Sequence, residues 1–296
     1  MEMLQYGFMQ RAFWAGGLIA LVAPVLGVYL LLRRQVLMAD TLSHISLTGV
    51  ALGALLGFNP VVGAFLVALS GAIGMEKLRR AYRSYSEVSI AIVMTSGLAL
   101  AVVLMSLNQG LNLSFTAYLF GSIVAVNEME LLMIFIVVVL ALLFLFFMRR
   151  PLYNMTFDEE TADVNGLAVR SISMSFSIVT GMTIAVSMPI LGVLLVSAMM
   201  VLPASLAVRV AKGFASAIAI AIGVSLVGMF SGLSVSYYVG TPPGGTIALI
   251  LVLILGGGLT YTRLGKWLKR KQHGFKEESS ELKLFIPRKE VERNEG

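Results

Sequence analysis

Glu130-Leu-Leu-Met-Ile-Phe-Ile-Val-Val-Val-Leu-Ala-Leu-Leu-Phe-Leu-Phe-Phe-Met148 is followed at once by Arg149-Arg150. An uninterrupted apolar run of this length matches the ~20 residues that a helix needs to cross a hydrocarbon core. In lipid a helix satisfies its own backbone hydrogen bonds, so such a run reads as a membrane span. The arginine pair behind it is the kind of charge held on the cytoplasmic side.

The same pattern recurs along the chain. Apolar runs at 11–32, 42–57, 61–76, 88–107, 130–148, 172–188, 190–208, 214–237 and 246–262 give nine crossings, with eight to ten compatible with the boundaries. Hydrophobic residues form 58% of the 296 positions and charged ones 13%, with a mean hydropathy of +0.89. A soluble domain is roughly half apolar and a quarter charged, so a water-soluble fold is excluded. The expected fold class is therefore an all-α integral membrane protein, a polytopic helical bundle. Residues 1–262 form its transmembrane domain and 263–296 a polar, solvated and partly disordered cytoplasmic tail.

The net charge of +6 is not a nucleic-acid stripe. It lies in clusters between the spans: Arg33 and Arg34; Lys77, Arg79, Arg80 and Arg83; Arg149 and Arg150; Arg209 and Lys212; and the run from Arg263 to Lys271. Placing every cluster inside puts the N-terminus outside and the C-terminus in the cytoplasm, in a multi-pass arrangement surrounded by lipid. Asn108 to Asn127 then begins and ends outside. Its apolar piece, Phe115 to Val126, is too short to cross twice and reads as a short re-entrant helix. The outer loops are short: Phe58-Asn59-Pro60, a break at Met188-Pro189, and Gly240 to Gly245. The N-terminus contains Glu2 and has no small-residue cleavage site, so the first run reads as a retained span.

Small residues in the spans, as in Gly49-Val-Ala-Leu-Gly53, suit close helix packing in lipid. The seventeen methionines are scattered without paired spacing and read as core filler. Cysteine is absent, which excludes disulfides and thiolate metal sites. No phosphate loop, His-Glu-x-x-His or Gly-x-Ser-x-Gly occurs, which argues against an enzyme and leaves no ATP-hydrolysing loop in this chain.

An ionisable side chain inside a span costs about 2.5–3.5 kcal/mol on insertion scales, so a retained one marks function. Asp40 and His44 are the pair that stands out. Their spacing of four places both on one helical face, where a carboxylate and an imidazole form half a site for a divalent cation. A second reading stays open: Asp40 as the N-cap of span two, with His44 hydrogen-bonded to a neighbouring helix. From a helix start near Val36 both groups lie near the cytoplasmic boundary, unless a buried non-helical lead-in carries them deeper. In the longest internal loop, Asp158, Glu159, Glu160 and Asp163 precede Gly166, a pattern for a short exposed acidic helix able to dock a soluble partner.

Four stretches resemble the membrane permeases of bacterial ABC importers for zinc and manganese, the ABC-3 family. They are Leu32-Arg-Arg-Gln-Val-Leu-Met-Ala-Asp40-Thr-Leu-Ser-His44-Ile-Ser-Leu47, Tyr118-Leu-Phe-Gly-Ser-Ile123, Asp158-Glu-Glu-Thr-Ala162 and Met200-Val-Leu-Pro-Ala204. The likeness covers about residues 5–262. The wording Asp-Thr-Leu-Ser-His is closer to the zinc branch, with Ala39 where the manganese branch has glycine. The resemblance implies a permease like those of type II ABC importers, working as a homodimer with cytoplasmic ABC ATPase subunits and an extracytoplasmic metal-binding receptor. It implies no permanently bound cofactor and transported Zn2+ or Mn2+ as cargo. It also implies that Asp40 and His44 line the path and that Asp158 to Gly166 is the loop coupled to the ATPase. Rival readings are a siderophore, haem or cobalamin permease of the same architecture, a proton-coupled secondary cation transporter titrating Asp40, and a structural membrane protein.

Overall fold

The computed structural model describes residues 5–82, 86–107, 117–122 and 126–285. Those residues contain helices and no strand. The helices are α1 (Gly7–Leu32), α2 (Val36–Leu55), α3 (Pro60–Ala81), α4 (Ser86–Ser106), α5 (Glu128–Phe147), α6 (Arg149–Phe157), α7 (Glu159–Val164), α8 (Val169–Leu191), α9 (Val193–Val210), α10 (Phe214–Val239) and α11 (Pro243–Phe285). Eight of them are long and apolar enough to cross a membrane, α11 over Pro243–Leu264; α4 adds a shorter apolar helix at Ile90–Ser106. The run that decided the fold is α5, tied at its start by a capping box in which Asn127 and Glu130 exchange side-chain-to-backbone bonds.

The chain divides into two compact units, Met1–Leu255 and Gly256–Gly296. The helix α11 is described as far as Phe285, and residues 286–296 of the expected tail lie outside the described residues.

Within the first unit α2 is the central helix, packed on α3, α4, α8 and α9, while α1 packs on α5, α9 and α10. Glycine sets the α2–α3 approach: a Cβ on Gly49 would collide with the Gly63 carbonyl, and one on Gly63 with the Gly49 carbonyl. The α2–α4 approach carries an interhelical bond, Thr48 Oγ1 to the Gly97 carbonyl at 2.7 Å. α1 turns into α2 through Arg33-Arg34-Gln35. Arg34 takes the left-handed conformation usual for glycine, φ 56°, and the Gln35 N–H closes back on the Leu30 carbonyl at 2.8 Å.

Three boundaries differ from the sequence reading. Span three does not stop at residue 76: α3 continues to Ala81 and carries Glu76, Arg79 and Arg80 within the helix. The break expected at Met188-Pro189 falls three residues later, because α8 accommodates Pro189 and ends at Gly192, φ 77°. Proline costs one helix bond, whereas the positive φ reverses the chain. Of the expected re-entrant stretch, residues 117–122 are described: a helical turn ends at Gly121, φ 79°, and the Ser122 N–H donates to the Pro189 carbonyl at 3.0 Å. Val126, at its end, is buried and its carbonyl accepts from Arg11 Nε at 3.0 Å, whereas residues 115–116 and 123–125 lie outside the described residues.

Candidate metal path and coupling face

Asp40 is the fifth residue of α2, not its N-cap. That position belongs to Gln35, which makes no side-chain capping bond. The lead-in to α2 is only a three-residue turn, with the Arg33 side chain 3% exposed and Gln35 8% exposed on either side of an exposed Arg34. Asp40 and His44 share a face as the spacing predicts, with His44 Nε2 3.9 Å from Asp40 Oδ2. That is too long for a hydrogen bond. Two ligand atoms on a tetrahedral zinc lie about 3.4 Å apart, given zinc–ligand distances near 2.0–2.2 Å, so a small side-chain rotation brings the pair to bridging geometry.

The hydroxyls of α2 are otherwise occupied. Thr41 and Ser43 donate to the carbonyls four residues back, Ser46 to the Ser43 carbonyl, and Thr48 to α4. Asp40 keeps a 34% exposed side chain and receives one longer bond, Ser197 Oγ from α9 at 3.3 Å. His44 is 9% exposed and its Nδ1 is buried without a partner among the described residues. No group of three or more acidic or histidine side chains able to hold a metal occurs among the described residues. Asp40 and His44 are thus two candidate ligands where zinc takes four.

The acidic loop forms α7, with Asp158 as its N-cap. Asp158 Oδ1 accepts the Thr161 N–H at 2.9 Å and Oδ2 accepts the Thr161 hydroxyl; these bonds hold the carboxyl below its usual 3.8. Gly166, φ 81°, ends the helix, and buried Ala162 anchors it. Glu160 and Asp163 are exposed, as is Val164, while Glu159 turns inward to within 4.0 Å of Arg33. Glu159, Glu160, Asp163, Arg80 and Arg170 border a cleft of about 550 Å³.

Behind that cleft lies a polar cluster that the sequence reading missed. Glu76, 1% exposed, accepts from Arg79 Nε and Nη2 at 3.0 and 2.9 Å, from Arg80 Nε at 2.9 Å and from the Ser177 hydroxyl at 3.3 Å. Ser173 Oγ accepts from both Arg33 (3.0 Å) and Arg79 (3.2 Å). Burial foremost, then Arg79, pushes Arg33 down to about 10, which leaves it charged at neutral pH. The signal for this cluster lies in the i, i+3 and i, i+4 spacing of Glu76 with Arg79 and Arg80, which in sequence also reads as a cytoplasmic charge cluster just past a span.

The sequence profile described as "ABC 3 transport family" matches residues 5–261. A probable metal transport system membrane protein of Treponema pallidum is 36% identical over 270 residues, covering 89% of this chain and 99% of that protein. The high-affinity zinc uptake system membrane protein ZnuB of Haemophilus influenzae is 31% identical over 238 residues, covering 80% and 91%. Further matches include proteins named for manganese and for iron transport. Among solved structures, PsaBC from Streptococcus pneumoniae in complex with Fab superimposes with a TM-score of 0.78 at 26% identity, covering 87% of this chain and 93% of that one.

Proposed function

We propose, from the premise that this chain belongs to the ABC 3 transport family, that this metal-transport permease carries zinc into the cytoplasm past Asp40 and His44. The observation that carries the reading is the placement of these two side chains on one face of the central helix. They sit 3.9 Å apart, Asp40 holding one long bond from Ser197 and His44 Nδ1 none among the described residues, while their neighbours' hydroxyls are satisfied. Imidazole and carboxylate together suit a cation of borderline hardness. A second copy related by a two-fold axis would complete two nitrogens and two oxygens, a tetrahedral set for zinc. Such a site is small and polar, which speaks against a chelate or a macrocycle as cargo. Manganese is the second reading, supported by the manganese-named relatives.

The drive comes from outside the chain. ATPase subunits dock on the exposed side of α7, where Glu160, Asp163 and Val164 face outward, and an extracytoplasmic receptor delivers the ion to the opposite end. ATP-driven approach of two such docked subunits moves α7, and Glu159 passes the motion to Arg33 at the head of α2. The N-terminus then lies outside and the arginine-rich ends of the helices inside, in accord with the positive-inside rule.

The test is zinc and manganese accumulation in cells carrying the permease with its ATPase and receptor, wild type against His44→Ala at matched membrane abundance. Loss of zinc uptake is expected, because one imidazole is lost from each half of the site. Unchanged uptake of both metals would remove His44 from the path.

A further inference from the structure

The first unit holds a cavity of about 880 Å³ between α1, α5, α6 and α10, and none of its lining residues comes from α2, α3 or α9, the helices that surround Asp40. Its chemistry changes along the helix axes. Arg149, Arg150 and Asn154 stand at the mouth, all exposed. Neither guanidinium has an acidic partner among the described residues; Arg149 lies over the Phe146 ring at 5.6 Å.

Two tyrosines also line the cavity, Tyr29 buried and Tyr153 exposed. Tyr153 packs on Phe157 and Phe214, with centroids at 4.8 and 5.1 Å, and Tyr29, a turn from the end of α1, packs edge-on against Phe214 at 5.2 Å. Tyr29 is 2% exposed and borders the cavity, yet its hydroxyl makes no hydrogen bond among the described residues. The hydroxyl itself keeps accessible surface where the residue borders the cavity, so it is a donor free to meet a ligand acceptor. Deeper still the walls are Val25, Leu142, Ile218 and Ile222, entirely aliphatic.

Cation, then aromatic hydroxyl, then hydrocarbon is the order of phosphate, glycerol ester and acyl chain in one leaflet. We propose that this groove is a binding site for one anionic glycerophospholipid. The phosphate lies between Arg149 and Arg150, an ester oxygen accepts from the Tyr29 hydroxyl, and an acyl chain runs along α5 and α10. The charge complementarity selects the occupant: a zwitterionic lipid carries its own cation to the arginines, and an apolar helix would leave both guanidiniums and Tyr29 unanswered. The site is independent of the metal carried.

The test uses the full chain in neutral detergent, incubated with dioleoyl phosphatidylglycerol or dioleoyl phosphatidylcholine at equal concentration, with bound lipid counted by native mass spectrometry. Wild type should retain one phosphatidylglycerol in about thirtyfold preference, the scale that two arginines at about 1 kcal/mol each support. Arg149→Gln with Arg150→Gln should bring retention down to the phosphatidylcholine level, and Tyr29→Phe should lower it part-way. Arg209→Gln with Lys212→Gln, outside the groove, should leave it unchanged. Equal retention of the two lipids by wild type, or undiminished phosphatidylglycerol on the Arg149/Arg150 variant, would overturn the proposal. So would full displacement by millimolar inorganic phosphate, which would make the arginines a free-anion site. The exposed arginine variants leave the packed core untouched, so loss of lipid there is not loss of fold.

Discussion

Replacing Glu76 by Gln keeps the side chain's shape and removes its charge, and the structure gives the size of the effect. The carboxylate accepts three guanidinium bonds of 2.9–3.0 Å and one hydroxyl bond of 3.3 Å at 1% exposure. The amide that Glu76→Gln introduces offers one acceptor oxygen and turns its NH2 toward arginine donors. Charge-assisted bonds are worth about 1.5–3 kcal/mol each, but these three share one carboxylate and do not add. Removing one partner of a buried pair costs about 3–5 kcal/mol. Because the Arg79 and Arg80 side chains keep 18% and 25% exposure, water takes up part of the loss and the lower end applies. A loss of about 3 kcal/mol corresponds to a fall of about 6–12 °C in unfolding temperature at ~2–4 °C per kcal/mol. The absence of cysteine rules out thiol-reactive dyes. The fluorescence of the two tryptophans, or the monodisperse peak surviving a heating series in detergent, reads the transition instead. Glu160→Gln, at an exposed carboxylate, serves as the control and should move the midpoint by less than about 2 °C, the usual surface effect. Should Glu76→Gln unfold together with that control, the carboxylate is wetted and the reasoning from burial is wrong.

Reversing Glu160 and Asp163 to Lys should reduce co-purification of the ATPase severalfold without changing the unfolding temperature, since both point outward. Glu159→Gln should leave ATPase capture near wild type and lower zinc transport per ATP hydrolysed, because its partner is Arg33; equal loss of capture in both variants would contradict that division. Asp158 titrates below its usual 3.8 when it caps α7, so its contribution is complete above that value and is lost as pH falls through the lower folded value. Amide exchange at Thr161, corrected for the intrinsic rate, should therefore rise on acidification past that range in wild type, and Asp158→Asn should flatten the profile.

The spans are legible because lipid imposes a length and an apolar composition on each, a constraint written residue by residue in stretches such as 130–148. The same reasoning places Asp40 and His44 on one face, since helical spacing is local. It fails where tertiary contacts decide. Glu76 reads as the edge of a span because it precedes three basic residues, yet it is their proximity that lets a buried carboxylate exist there. The reversal at Gly192 is easily assigned to Pro189, whose ring is visible in sequence, whereas the bend is made by a glycine packed against residues 119–121. Nothing in the sequence indicates that Ser197 reaches Asp40 across 157 positions.

The Glu76 carboxylate and the Asp40–His44 pair differ in how fully they are satisfied. Glu76 has four donated bonds and is closed to water; a saturated cluster of this kind fixes helix positions and has no capacity left for a ligand. His44 is nearly as buried, yet Nδ1 has no partner among the described residues and Nε2 stops 3.9 Å short of a partly exposed carboxylate. A buried polar atom left unpaired costs about 1–3 kcal/mol, and filling the position with an aliphatic side chain would relieve it at once. The clusters are nevertheless joined: Ser177 donates to Glu76 and also contacts the Met38 sulfur at 3.9 Å, two residues before Asp40. On the other side Arg33 links Ser173 to Glu159 on α7. The Arg33 end of these contacts is not saturated, since its Nη1 is buried without a partner among the described residues; on the proposed function, a displacement of α7 would reach Asp40 through Arg33, Ser173, Arg79, Glu76, Ser177 and Met38.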